Sequence, residues 1–197
     1  MELPGGDDPV ARRTSWHPCK AGGTNFRTHR LVQVSPERLE LKVTAGMVLF
    51  TGVFILFGSA ALIGALFAMR EEGPGFLILL AFGAVFAGVG GFFLRSASCP
   101  IVFDRRKGSF WRGRKEPDQV FDKASLKACV PLENIHALQI ISEYVSGNKS
   151  SYHSYELNLV LKDAGRVNVV DHGNLERLRS DAAELSAFLG VPVWDAA

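Results

Sequence analysis

The 197-residue sequence predicts a membrane α+β protein: a two-helix transmembrane hairpin joined to a mostly antiparallel β domain that a C-terminal helix caps. Three observations carry this. Two uncharged apolar runs, residues 47–69 and 76–94, are separated by only six residues, Arg-Glu-Glu-Gly-Pro-Gly. Several segments after residue 96 alternate apolar and polar residues with period two, the pattern of half-buried strands. Residues 174–192 carry one apolar stripe at helical spacing between an N-cap and a glycine stop.

Composition narrows the function classes. With 47% hydrophobic residues and a mean hydropathy of +0.12, the chain lies between a soluble domain and a multi-span membrane protein. A net charge of +2 argues against a dedicated nucleic-acid binder. Cys19, Cys99 and Cys129 are odd in number and lack Cys-x-x-Cys spacing, which fits a reducing compartment. His17-Pro18-Cys19 offers only two ligands, so neither a metal nor a cofactor is expected.

Residues 1–23 contain Pro4, Gly5, Gly6, Asp7, Asp8 and Pro9, then Arg12-Arg13, then Gly22-Gly23, with no apolar core of a signal peptide. They read as a disordered or loosely attached tail, leaving the first span to act as its own insertion signal. Residues 24–45 read as a β-hairpin before the membrane. Leu39, Leu41 and Val43 alternate with Arg38, Glu40 and Lys42, and Ser35-Pro36-Glu37 is turn-like. The alternative is that residues 38–44 begin the first helix early. An isolated two-stranded hairpin is marginal in water, so packing of these strands on the C-terminal domain is an open expectation.

Residues 46–95 form the transmembrane hairpin. At about 1.5 Å per residue its runs measure roughly 34 and 28 Å, matching a hydrocarbon core of about 30 Å. Gly73-Pro74-Gly75 permits the tight turn between them. Ala60, Gly64 and Ala68 recur every fourth residue in the first helix, as do Gly83, Ala87 and Gly91 in the second. Small residues at that spacing let helix backbones approach, so these six are the candidate helix-packing residues and the hint of a homo-oligomer. Gly and Ala are also simply common in membrane helices. Thr51 and Ser59 are the polar residues of the two runs, and both can bond their own helix backbone. That argues against an oligomeric channel or transporter subunit, whose spans need polar groups along a pathway.

Positive charge sets the expected orientation. Arg27, Arg30, Arg38 and Lys42 precede the first span, and Arg95, Arg105, Arg106, Lys107, Arg112 and Arg114 follow the second; the connector holds Arg70 beside two glutamates. Both termini are expected in the cytoplasm.

Residues 96–197 suffice for one small domain. Residues 100–103 and 109–112 read as a strand hairpin with Gly108 near its tip, 128–130 as a short strand, 135–145 as the longest strand, and 147–151 as a polar loop. In 155–162, Leu157, Leu159 and Leu161 alternate with Glu156, Asn158 and Val160, and Asp163-Ala164-Gly165 turns the chain into 166–170. Asn174 caps a helix whose stripe is Leu175, Leu178, Ala182, Leu185 and Leu189, stopped by Gly190 and Pro192. Ser154, His153, Asp171 and His172 are the residue types of nucleophilic or acid–base chemistry. No Gly-x-Ser-x-Gly, P-loop or His-Glu-x-x-His accompanies them, so no enzyme and no catalytic residue is expected.

The order Ile-Val-Phe-Asp-Arg-Arg-Lys-Gly (101–108), Pro-Leu-Glu-Asn-Ile (131–135), the 155–170 hairpin and Leu-Gly-Val-Pro-Val-Trp (189–194) resembles small bacterial membrane proteins in which a two-helix hairpin precedes a pleckstrin-homology-like (PH-like) domain. The resemblance spans about residues 24–195 and implies a bent, partly open β-barrel over 96–197, capped by the last helix, at the bacterial inner membrane. Lys107, Arg112 and Arg114 are similar to the Lys…Arg-x-Arg set with which such domains take phosphoinositides, at a shorter spacing. Arg105, Arg106, Lys107, Arg112, Arg114 and Lys115 are therefore the candidate contacts to anionic membrane lipid, each adding on the order of 1 kcal/mol near the surface. The function expected is a membrane-anchored, non-catalytic interaction or scaffolding module, an assembly or regulatory factor whose partner is another membrane protein or complex. A peripheral anionic-lipid sensor is the alternative.

Overall fold

A computed structural model describes residues 4–70, 74–120, 126, 128–147 and 151–197. The chain divides into two compact units, residues 1–42 with 100–197, and residues 43–99 between them.

Among the described residues, the first unit holds nine strands in two sheets. One sheet runs in the order β1 (His29–Ser35), β2 (Arg38–Val43), β3 (Ile101–Asp104), β4 (Ser109–Arg112), β5 (Ala128–Pro131). The other runs β8 (Arg166–His172), β7 (Ser151–Leu161), β6 (Ile135–Ser146), β9 (Val193–Ala196), antiparallel except for β9 beside β6. Thus β1 and β2 are not a separate hairpin before the helices. They belong to the same sheet as the C-terminal strands, with Leu39 opposite Phe103 and Leu41 opposite Ile101. Residues 38–43 are strand to their end, so the early-helix alternative does not hold.

The core lies between the sheets. Leu39, Leu41, Ile101, Phe103 and Phe110 of the first meet Leu138, Ile140, Leu157, Leu159 and Val169 of the second. The helix α4 (Leu175–Leu189) packs into the same core through Leu178, Ala182, Leu185 and Phe188. The Asn174 carboxamide accepts from the Arg177 N–H at 2.9 Å to start α4, and Gly190 ends it in the left-handed region at φ 70°. At the β7–β8 turn the left-handed residue is Ala164, also at φ 70°, rather than Gly165. β7 begins four residues before the expected 155, because its register with β6 continues to Ser146 opposite Ser151.

The N-terminal segment departs most from expectation. Described from residue 4 on, it is not a loose tail. Pro9–Arg13 form a short helix, α1, whose Asp8 cap accepts from the Val10 N–H at 2.7 Å. Val10 and Ala11 are buried against Ala137, Val160 and Trp194, with Trp16 packed beside them. Three apolar residues suffice here because they land on an apolar corner of the second sheet.

The second unit is a helical pair, α2 (Ala45–Ala68) and α3 (Gly75–Ala97), both long and apolar enough to cross a membrane. The Thr44 hydroxyl caps α2 by accepting from the Met47 N–H. The helices meet along a seven-residue repeat, not the expected four-residue one. A Cβ at Gly58 would collide with the Ala87 backbone; one at Gly83 would lie 2.8 Å from the Gly58 carbonyl, and one at Gly90 3.0 Å from the Ile55 nitrogen. Gly83 and Ala87 therefore stand in the seam. Ala60 is exposed, a Cβ at Gly91 would meet nothing, and Gly64 and Ala68 are half-buried at its margin. Gly58, Ala65 and Gly90 take their place, because close antiparallel helices keep contact at alternating steps of three and four.

Candidate functional site

The outer face of the second sheet is polar and buried. In β7, Leu157 and Leu159 point into the core. Ser154, Glu156 and Asn158 point the other way, yet each is fully buried, as is Gln139 of β6. A half-buried strand leaves such a face to solvent; here residues 15–25 lie across it as a strap.

The face grips the strap by its main chain. Gln139 Nε2 donates to the Ser15 carbonyl at 3.1 Å, and Arg166 Nη1 to the His17 carbonyl at 2.7 Å. The Glu156 carboxylate accepts from the Cys19 and Lys20 N–H groups at 2.7 and 2.9 Å. Glu143 accepts from Gly22 and Gly23 at 3.0 and 3.2 Å, and the Tyr152 hydroxyl donates to the Gly23 carbonyl at 2.9 Å. Each carboxylate thus holds two consecutive amides, a charge-assisted arrangement stronger than neutral hydrogen bonds. Gly23 passes so close that a Cβ there would strike the Ser154 hydroxyl.

Behind the strap the polar groups form a network. Asn158 Nδ2 donates to Glu156 at 3.1 Å, and Asn168 Nδ2 donates to Asn158 Oδ1 at 3.2 Å and to Asp171 at 2.9 Å. Burial pushes the Asp171 carboxyl and the Cys19 thiol above their ordinary values. Ahead of the strap, at the cap of α1, a 2.7 Å hydrogen bond to His136 draws the Asp8 carboxyl below its usual range. At its end the Gly173 N–H donates to the Phe26 carbonyl at 3.2 Å, and Arg27 pairs with Asp181 of α4 at 3.1 Å.

The four candidates for enzymatic chemistry are not brought together. Ser154 and Asp171 lie on the strapped face. His153 faces the other way, with its ring 5.2 Å from Tyr144, and His172, opposite Tyr155 in the register, is buried on the core side. His172 Nδ1 accepts from the Asn174 N–H at 3.0 Å, and burial lowers its pKa to about 4, so the imidazole is neutral near pH 7.

The basic residues of 105–115 are divided. Arg105 donates to the Phe188 carbonyl and lies over that ring at 4.3 Å, and Arg112 donates to the Val169 carbonyl. Lys107 pairs with Glu116 at 2.7 Å and Asp118 at 2.6 Å. It belongs to a network in which Arg38 reaches Glu40 and Glu116 over the face of Trp111. Arg106 pairs with Glu37 at 3.2 Å but is 76% exposed, and Arg114 and Lys115 are exposed. The expected six-residue patch thus presents three side chains outward.

The strap lacked any motif in the sequence. The clues present were Gly22-Gly23, which permits close approach, and a run of acid and amide residues on one face of a long strand. Comparison with family models, curated proteins and solved structures finds no match to this chain.

Proposed function

We propose that this chain is a non-catalytic interaction or scaffolding module of PH-like build, held in a bacterial inner membrane by the α2–α3 hairpin, with both termini in the cytoplasm. The observation that carries the reading is the pairing of β2 with β3. β2 leads into α2 and β3 leaves α3, so if the helices span a bilayer, one sheet receives both ends of the hairpin. A hydrogen-bonded sheet cannot be divided by a membrane, so the helices must cross and return. The basic flanks favour the cytoplasmic side.

Further features support it. Only 17% and 11% of the apolar windows of α2 and α3 are buried, which is not the environment of soluble core helices. Leu56, Ile78 and Phe92 are each at least two-thirds exposed, as lipid-facing residues would be. Thr51 donates back to the Met47 carbonyl at 2.9 Å, leaving little polarity for a transport path. Strands β2–β8 followed by α4 have the four-plus-three-plus-helix order of a PH-like domain, with the membrane hairpin inserted after its first strand. Mild-detergent co-purification of the tagged full chain from native membranes tests the function. A stoichiometric membrane-protein partner is expected, and recovery of lipid alone would favour a lipid sensor instead.

A further inference from the structure

We propose that the polar outer face of β6, β7 and β8 is a docking site for a glycine-bearing polypeptide segment recognised through its main chain, and that residues 17–24 are its built-in competitor. The proposal rests on the reading of the chain as an interaction module and specifies what the module takes.

Recognition on this face is of backbone, not of side-chain identity. Glu156, Glu143, Arg166 and Tyr152 bind strap carbonyl and N–H groups. Any segment that offers two pairs of consecutive amides and lacks a Cβ over Ser154 satisfies the same groups. The strap fits incompletely: the Ser154 hydroxyl is fully buried beneath Gly23 and has no hydrogen-bond partner among the described residues. An unmade buried hydrogen bond is a standing penalty, so a segment placing an acceptor there gains a bond that the strap does not make.

The strap can also leave without unravelling the domain. α1 is held by apolar contacts to Ala137, Val160 and Trp194, and the chain is fixed again at Phe26 and Arg27. Between these anchors the bed is acid, amide and hydroxyl, which water can solvate. Exposing it costs little of the apolar burial that stabilises the core.

The test uses the detergent-solubilised full chain and a fluorescent peptide with the sequence of residues 15–25. G22V/G23V unseats the strap, since Gly22 is left-handed at φ 80° and Gly23 abuts Ser154, and it leaves the face intact. The peptide should bind this variant at least about tenfold more tightly than the unmodified chain, whose site is occupied. Adding E156Q should abolish binding. Equal binding to both chains, or none to a G22V/G23V chain that still unfolds cooperatively, overturns the proposal. If that variant does not fold, hydrogen exchange of the unmodified chain decides. The amides of Cys19, Lys20, Gly22 and Gly23 should exchange at least about 100-fold faster than those pairing β6 with β7; equal rates would mean the strap never lifts. Co-purification of an undiminished partner with the E156Q chain would keep the module reading and place its docking elsewhere.

Discussion

Leu39 of β2 sits directly opposite Phe103 of β3, although the whole α2–α3 hairpin lies between them in the chain. Both side chains are buried to within 2% in the core shared by the two sheets. The helical pair is therefore an insertion into a sheet, not an appendage at one end of a domain. Leu39→Ala should cost about 2–5 kcal/mol, the range for a large core truncation, in denaturant unfolding of the solubilised chain. A loss below about 1 kcal/mol would mean that β2 contributes little to the fold.

The helix seam makes a discriminating prediction. Gly58→Leu and Gly83→Leu should separate α2 from α3, because the added side chains meet backbone. Ala60→Leu and Gly91→Leu should leave them paired, since position 60 is exposed and a Cβ at 91 meets nothing. Cross-linking between cysteines introduced at Gly64 and Leu79, which face each other across the pair without collision, reads this out. The reverse pattern would restore the four-residue ridge as the interface.

Acid should weaken the fold through His172. Its folded pKa of about 4 lies below the ordinary value of 6.5. The unfolded chain therefore binds the proton more readily as pH falls from about 6.5 towards 4, and stability falls by up to about 1.4 kcal/mol per pH unit across that window. Asp171 and Asp181, both raised by burial, act in the opposite sense as they take up protons in the folded state. A His172→Gln chain should lose stability less steeply than the unmodified chain between pH 7 and pH 5, as measured by the unfolding midpoint. Parallel profiles would contradict the assignment.

The strap should respond unequally to loss of its two carboxylates. Glu156 is fully buried and also accepts from Asn158, whereas Glu143 is only half-buried and its bond to Gly22 is exposed. Glu156→Ala should cost about 2–3 kcal/mol and Glu143→Ala about 1 kcal/mol, from the usual worth of hydrogen bonds to a charged group buried or exposed. Equal costs would show that burial does not strengthen the grip.

How legible was this in the chain? The period-two leucines of β7, the turn at residues 163–165 and the capped stripe of α4 are local patterns, and each element lies close to where its residues put it. The pairing of β2 with β3 is not local. Nothing in residues 38–43 names a partner beyond the helical hairpin, so these strands read as a pair whose packing on the C-terminal domain stayed open. The strap failed for a different reason. Apart from Trp16 and the Thr24 hydroxyl, its side chains make little of the attachment; main-chain groups make the rest, and these are invisible to hydropathy. Glu156 and Asn158 then read as a solvent face, because a buried polar residue and an exposed one look alike until their partners are placed. The basic hairpin had the right turn but not its neighbours: Glu116 with Asp118, the end of α4 and the Val169 carbonyl of β8 engage three of its six charges.

The most direct test of the central claim is a reporter series in bacterial cells. Alkaline phosphatase, active only outside the cytoplasm, would be fused ahead of residue 1, after Ala197, and within the connector at Pro74. Fusions at both termini should be silent and the fusion in the connector active. Activity at either terminus alone would divide the β2–β3 sheet across the membrane and contradict this topology.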